Sequence, residues 1–207
     1  MHVAIINFKH FSGAGRMKEL QERIRKEGKV LPGNIIKVDG FLNHRVDMEL
    51  LSHIAEEFEK YFDISKITCV LTAEASGIAL AAACASKYHV PMIFAKKAKS
   101  DNIEGGLYKS EVFSYTYKKK VIMLVSKEWL GPQDKVLIID DFMANGYAVQ
   151  GLIDIVKIAG AELMGIGTAV EKGFQGGGER IRVQGIPYKA LAVIEQADEN
   201  GITFREE

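Results

Sequence analysis

Five nearly continuous apolar runs limit how this chain can fold: ITCVLT (67–72), MIFA (92–95), KVLIID (135–140), LMGIGTAV (163–170) and YKALAVI (188–194). Strands that carry apolar side chains on both faces belong to parallel sheets covered by helices, whereas half-exposed strands alternate with polar residues. The intervening segments supply those helices. GIALAAACASKYH (77–89) reads as a buried, Ala-rich helix. Val149, Leu152, Ile153 and Val156 share one face of another, which Gly160 ends. Ahead of the first strand, Met17 to Gly28 predicts a surface helix, Leu31 to Asn34 a turn, and residues 35–47 an irregular stretch. Asp47 then caps a helix carrying Leu50, Ile54, Phe58 and Tyr61. Glu111 to Tyr117 and Val121 to Val125 pair as an antiparallel excursion turning at Lys118 to Lys120.

At 207 residues and 47% apolar the chain buries a single core, and disorder is excluded. Its 27 basic and 27 acidic residues cancel, so it lacks the basic excess of a dedicated nucleic-acid binder. Cys69 and Cys84 are too few for a disulfide framework and lie in apolar contexts, as buried thiols do. No run approaches the roughly 18–20 apolar residues of a membrane span. Residues 1–16 lack the Lys/Arg-led start and small-residue cleavage site of a secretory signal, so the expected location is the cytoplasm. The regular MKELQERIRKEG opens at Met17, which marks 1–16 as an N-terminal extension that need not be native, ahead of a single domain, 17–207.

The chemistry concentrates in VLIIDDFMANGYA (136–148), where a buried strand delivers Asp140 and Asp141 to its carboxyl end and a small-residue loop opens a helix. Ligands of open α/β sheets bind in that crevice. The loop Ala144, Asn145, Gly146, Tyr147 and Ala148 can wrap backbone N–H groups around an anion at the partially positive helix end. Two carboxylates beside it would repel a bare polyphosphate, so the ligand should present hydroxyls there, as a ribose phosphate does. Taken alone, the two Asp residues could equally end a strand and cap a turn.

The same run resembles the pyrophosphate-donor motif of the type I phosphoribosyltransferases. With KVDGFLNH (37–44), Glu74-Ala75-Ser76-Gly77, FAKKAKS (94–100) and VEKGFQ (170–175), it is similar to their bacterial xanthine branch, over essentially everything from Met17 onward. Asn145 and Ala148 stand where hydroxyl residues are common in the wider superfamily, so phosphate binding leans on backbone donors. The resemblance implies an α/β fold with a central, mainly parallel five-stranded sheet flanked by helices. It also implies a flexible flap and a small hood from the N-terminal (17–62) and C-terminal segments. The implied reaction joins 5-phosphoribosyl 1-pyrophosphate (PRPP) to a purine, releasing pyrophosphate, with Mg2+ carried by PRPP, no certain protein ligand for the metal, and a homodimer as the assembly. Loop 144–148 would hold the 5′-phosphate, and Asp140 and Asp141 the ribose hydroxyls beside an oxocarbenium-like centre. Ser76, Gly77 and Lys97, with Lys99, would meet the pyrophosphate. An ordinary strand-to-helix turn and solvated lysines are the plainer alternatives for those positions. Ser100 to Tyr117 would be the flap that excludes water.

At the base end, Lys172 follows a strand, and an ammonium only donates, so it favours a 6-oxopurine over adenine. Phe174 would stack on the base or pack as core. Asn43 and Ile36 are the family's remaining base contacts; Asn43 reads otherwise as a turn or capping residue. The preference for xanthine over guanine or hypoxanthine rests on the resemblance. No histidine pair has metal-ligand spacing, and Gly176 to Gly178 reads as a flexible turn. A PRPP-sensing regulator is the rival reading, but the residues ahead of the first strand lack a basic recognition helix. A doubly wound oxidoreductase would need a dinucleotide fingerprint that is not there.

Overall fold

A computed structural model describes residues 13–97, 106–114, 119–198 and 201–206 of the protein. Helix α1 (Gly13–Glu27) starts before Met17 and leads into strands β1 (Lys29–Leu31) and β2 (Ile35–Lys37). These pair as a small hairpin around Pro32, Gly33 and Asn34, the last two at φ 83° and 59°. The expected turn is therefore there, but the stretch after it is not wholly irregular: it holds β2 and a single π-helical turn, Asp39–Asn43. Strands of three residues are too short to show a period, and this one was invisible for that reason. Helix α2 (Met48–Phe58) follows, its first turn capped by Asp47, whose Oδ1 accepts from Leu50 N at 3.2 Å.

The remaining elements alternate. Strand β3 (Cys69–Ala73), α3 (Gly77–Tyr88) and β4 (Met92–Ala95) come first, then the antiparallel pair β5 (Leu107–Ser114) and β6 (Lys119–Ser126). Strand β7 (Lys135–Met143), α4 (Tyr147–Ala159), β8 (Glu162–Lys172), α5 (Gly177–Arg182), β9 (Tyr188–Asp198) and β10 (Gly201–Phe204) complete the chain. The main sheet runs β4-β3-β7-β8-β9-β10. The five expected strands are parallel throughout, and β10 adds a short antiparallel sixth at the edge. After β3 the chain winds outward to β4; from β7 it winds the opposite way through β8 to β9. The order therefore reverses between β3 and β7, which leaves a crevice beyond their carboxyl ends.

Alternation along β7 explains the layering. Val136 and Ile138 enter one buried cluster with Leu152, Ile153 and Val156 of α4, while Leu137 and Ile139 enter the other with Leu51, Phe58 and Leu80. Helices α1 and α2 and the hairpin β1–β2 lie on that second side, where the Arg25 guanidinium rests 4.7 Å from the Phe204 ring of β10. N-terminal and C-terminal segments thus meet over one face, as the hood requires. Gly160 ends α4 at φ 72° as expected. Cys69 and Cys84 are free and buried, and burial pushes their thiols up to about 11 and about 12. Residues 98–105 and 115–118 lie outside the described residues, and with them Lys99, Lys118 and positions 100–105 and 115–117 of the expected flap; Lys119 and Lys120 begin β6 rather than forming the turn. Residues 1–12 lie outside as well. Among the described residues no helix is long and apolar enough to cross a membrane.

Candidate active site

Strand β7 does not stop at Asp140. It stays paired with β8 as far as Met143, opposite Glu171, so Asp140 and Phe142 are held by the ladder with Asp141 between them. Both carboxyls are nearly sealed from solvent, at 7% and 3% exposure. Asp141 is clasped from two sides. Asn43 Nδ2 donates to its Oδ2 at 2.6 Å, and Ser76 Oγ donates to its Oδ1 at 2.9 Å. Asp140 Oδ1 accepts from the Asp141 backbone N–H at 3.0 Å. Burial holds the Asp140 carboxyl well above the usual carboxylate range, and the negative neighbour Asp141 pushes it further.

The end of β3 faces this pair. Ser76 precedes α3 and would ordinarily cap it, but its hydroxyl goes to Asp141 and makes no cap bond. Gly77 has to be glycine: a Cβ there would lie 2.5 Å from Asp140 Oδ1 and closer still to Thr72 Oγ1, which is buried without a hydrogen-bond partner among the described residues. The Glu74–Ala75 peptide is cis. Glu74 Oε1 accepts from the Lys97 backbone N–H at 2.6 Å, tying the ends of β3 and β4 together.

After β7 the chain turns through Ala144 and Asn145 into Gly146, at φ 80°, which starts α4 without a side-chain cap. The loop separates two cavities. One, of about 290 Å³, is lined by Ile36, Asn43, Ser76, Asp140, Asp141 and Lys172, with Lys97, Ala144 and Ala148 at its rim. The other, of about 150 Å³, lies between Asn145, Gly146 and Tyr147 and the strand residues Val112 and Phe113 of β5. Across the larger cavity, half-buried Lys172 ends β8 with Nζ 5.7 Å from the centre of the Phe142 ring and 3.4 Å from the Asn34 carbonyl oxygen. Burial lowers its pKa from the ordinary lysine value.

The sequence candidates Asp140, Asp141, Ala144, Ala148, Ser76, Lys97, Ile36, Asn43 and Lys172 therefore line one cavity, with Gly77 packed against Asp140 and with Asn145, Gly146 and Tyr147 at the adjoining one. Phe174 is the exception. It sits on the short turn after β8, 39% exposed, and does not line the cavity. The aromatic residue that does is Phe142, which the sequence reading passed over by ending the strand at Asp140. Two residues beyond Asp140 on a strand, it projects to the same face, and that period was the available signal. Asn43, expected at the base, donates to Asp141.

This geometry has close relatives. The phosphoribosyl transferase domain family matches residues 44–196. A xanthine phosphoribosyltransferase of Lachnoclostridium phytofermentans is 50% identical over 191 residues, covering 91% of this chain and 98% of its own. One from Bifidobacterium adolescentis is 50% identical over 192 residues, covering 91% and 100%. Among solved structures, adenine phosphoribosyltransferase of Saccharomyces cerevisiae superposes with a TM-score of 0.71 at 19% identity, over 86% of this chain and 99% of its own. The Giardia lamblia enzyme gives 0.70 at 21%, over 84% and 96%. At such identities the structural likeness speaks for the fold.

Proposed function

We propose, from the premise that this chain belongs to the phosphoribosyl transferase family, that it transfers the 5-phosphoribosyl group of PRPP to xanthine, giving xanthosine 5′-monophosphate and pyrophosphate in purine salvage. The observation that carries this is the junction of the β7–α4 loop with the buried pair Asp140–Asp141 at the point where the strand order reverses. Loop residues 144–148 take the 5′-phosphate on backbone N–H groups at the start of α4. Asp140 and Asp141 take the ribose hydroxyls, and the clasp of Asn43 and Ser76 fixes Asp141 in place for them. Bond breaking from C1 to pyrophosphate runs ahead of bond making to the purine nitrogen, so positive charge grows on the ribose, and carboxylates beside it lower the barrier. Positioning both substrates supplies much of the remainder.

Pyrophosphate leaves toward Ser76, Gly77 and Lys97. Mg2+ carried by PRPP would supply neutralisation of the pyrophosphate charge beside Lys97. Both Asp141 oxygens already accept hydrogen bonds, which suits an ion held by substrate oxygens and water. The base lies over Phe142 rather than Phe174, with Lys172 donating to its 6-oxo group and Asn43 and Ile36 at its far edge. An adenine amino group would oppose the ammonium donor to donor. The enzyme works in the cytoplasm as a homodimer; Trp129, 65% exposed above an apolar groove of about 470 Å³ along β4, gives a second copy a surface to cover.

The test is a substrate panel. With PRPP and Mg2+, xanthine is converted faster than guanine or hypoxanthine, and adenine least. Absence of pyrophosphate release with every 6-oxopurine would overturn the reading.

A further inference from the structure

The glycines after Phe174 are not a loose turn. Gly177 and Gly178 are buried at the start of α5, against the far side of loop 144–148. The Gly177 N–H donates to the Ala144 carbonyl oxygen at 3.1 Å. A Cβ on Gly177 would run into that oxygen and stand 2.7 Å from the Gly146 nitrogen. Conversely, a Cβ on Gly146 would meet Gly177 Cα and O at 3.3 Å. Two backbones touch here with no room for side chains between them.

A second layer holds α5 in that position. A Cβ on Gly178 would enter the Glu171 carboxylate, 2.5 Å from Oε2 and nearer still to Oε1. Glu171, 2% exposed at the end of β8, accepts from Arg182 Nη1 at 3.2 Å and Nη2 at 2.6 Å, and from the Tyr188 hydroxyl at 3.0 Å. A two-pronged guanidinium–carboxylate contact of this kind fixes direction as well as distance. Arg182 thereby ties α5 to β8, and Arg180 lies 5.1 Å from the ring of Tyr147 at the other end of the loop.

We propose that Gly177 and Gly178, braced by Glu171 and Arg182, are positioning residues for the phosphate loop: they set the direction of the N–H groups of 145–148 and so govern affinity for the 5′-phosphate of PRPP without touching it. This rests on the reading of that loop given above. Among the purine contacts, Phe142 and Asn43 do not touch Gly177 or Gly178, and Lys172, although it follows Glu171 on β8, projects to the opposite face of that strand.

Steady-state kinetics with each substrate varied in turn separate the possibilities. Gly177→Ala should raise the PRPP KM by about tenfold or more, equivalent to about 1.4 kcal/mol, while the xanthine KM and kcat stay within about twofold of wild type. Glu171→Gln, which keeps the shape of the brace and weakens its grip on Arg182, should move the same constant by a smaller factor, and it decides the matter should Gly177→Ala fail to fold. Equal changes in both KM values, or a wild-type PRPP KM in the variant that folds, would overturn the proposal. A wild-type protein that does not turn PRPP over would remove the underlying function as well, so the two failures are distinct.

Discussion

Replacing Asp140 by Asn should stabilise the fold while stopping turnover, and replacing its neighbour Asp141 by Asn should weaken both. Asp140 is buried beside another carboxyl, and both effects raise its pKa above the ordinary value. Because the folded pKa lies above the unfolded one, its contribution to stability is fully present below the unfolded pKa and is lost as pH climbs through the folded one. Each pKa unit corresponds to about 1.4 kcal/mol lost at neutral pH, and about 1 kcal/mol shifts the melting temperature of a chain this long by about 2–4 °C. Asn removes the charge and keeps an acceptor for the Asp141 N–H. Asp141 differs because its oxygens accept from Asn43 and Ser76. With Asn there, the Ser76 hydroxyl can rotate to accept, so both contacts survive as neutral bonds and the loss is about 1–2 kcal/mol. Thermal melts from pH 4 to pH 8 test this. The Asp140→Asn advantage should be at least about 2 °C at pH 8 and should shrink toward about pH 4, the ordinary carboxylate value. A variant no more stable than wild type at pH 8, or a gap that ignores pH, would refute the electrostatic reasoning.

Other substitutions probe the remaining parts of the site. Lys172→Ala should raise the xanthine KM about 10–100-fold by removing a charge-assisted hydrogen bond, with the PRPP KM unchanged; an unaltered choice among purines would move the base pocket elsewhere. Phe142→Ala should weaken xanthine binding and Phe174→Ala should not, as fluorescence or calorimetric titration in the presence of PRPP would report, and the reverse result would restore Phe174 as the stacking residue. Gly77→Ala forces a methyl against Thr72 and Asp140, so it should cost about 1–3 kcal/mol in denaturant unfolding as well as activity; a wild-type midpoint would show that the turn has more room than it presents.

Local pattern carried the elements whose partners did not matter. Strand β7 and helix α4 were legible because apolar continuity, a helical stripe and Gly160 are all local signals. The sixth strand and the hairpin β1–β2 were not, since KVL, IIK and GITF are short and lack the unbroken apolar run that marks the equally short β4, so only the neighbour they pair with defines them. Chemistry followed the same division. Asp140, Asp141 and the small-residue loop stand together in the sequence, but the bond from Asn43 to Asp141 spans 98 positions, and only family resemblance placed Asn43 near the site. Polar residues ordinarily end a buried strand, so the sequence points to Phe174 and hides the continuation of β7 through Phe142. Glycine runs read as flexible for a similar reason: the groups that immobilise Gly177 and Gly178 belong to Ala144 and Glu171, in other segments.

A crystal structure of the protein with xanthosine 5′-monophosphate tests the central claim most directly. The phosphate should sit against the backbone N–H groups of residues 145–148, the ribose hydroxyls on Asp140 and Asp141, and the purine between Phe142 and Lys172. A nucleotide bound elsewhere, such as in the Trp129 groove, with the turn before α4 empty, would contradict it.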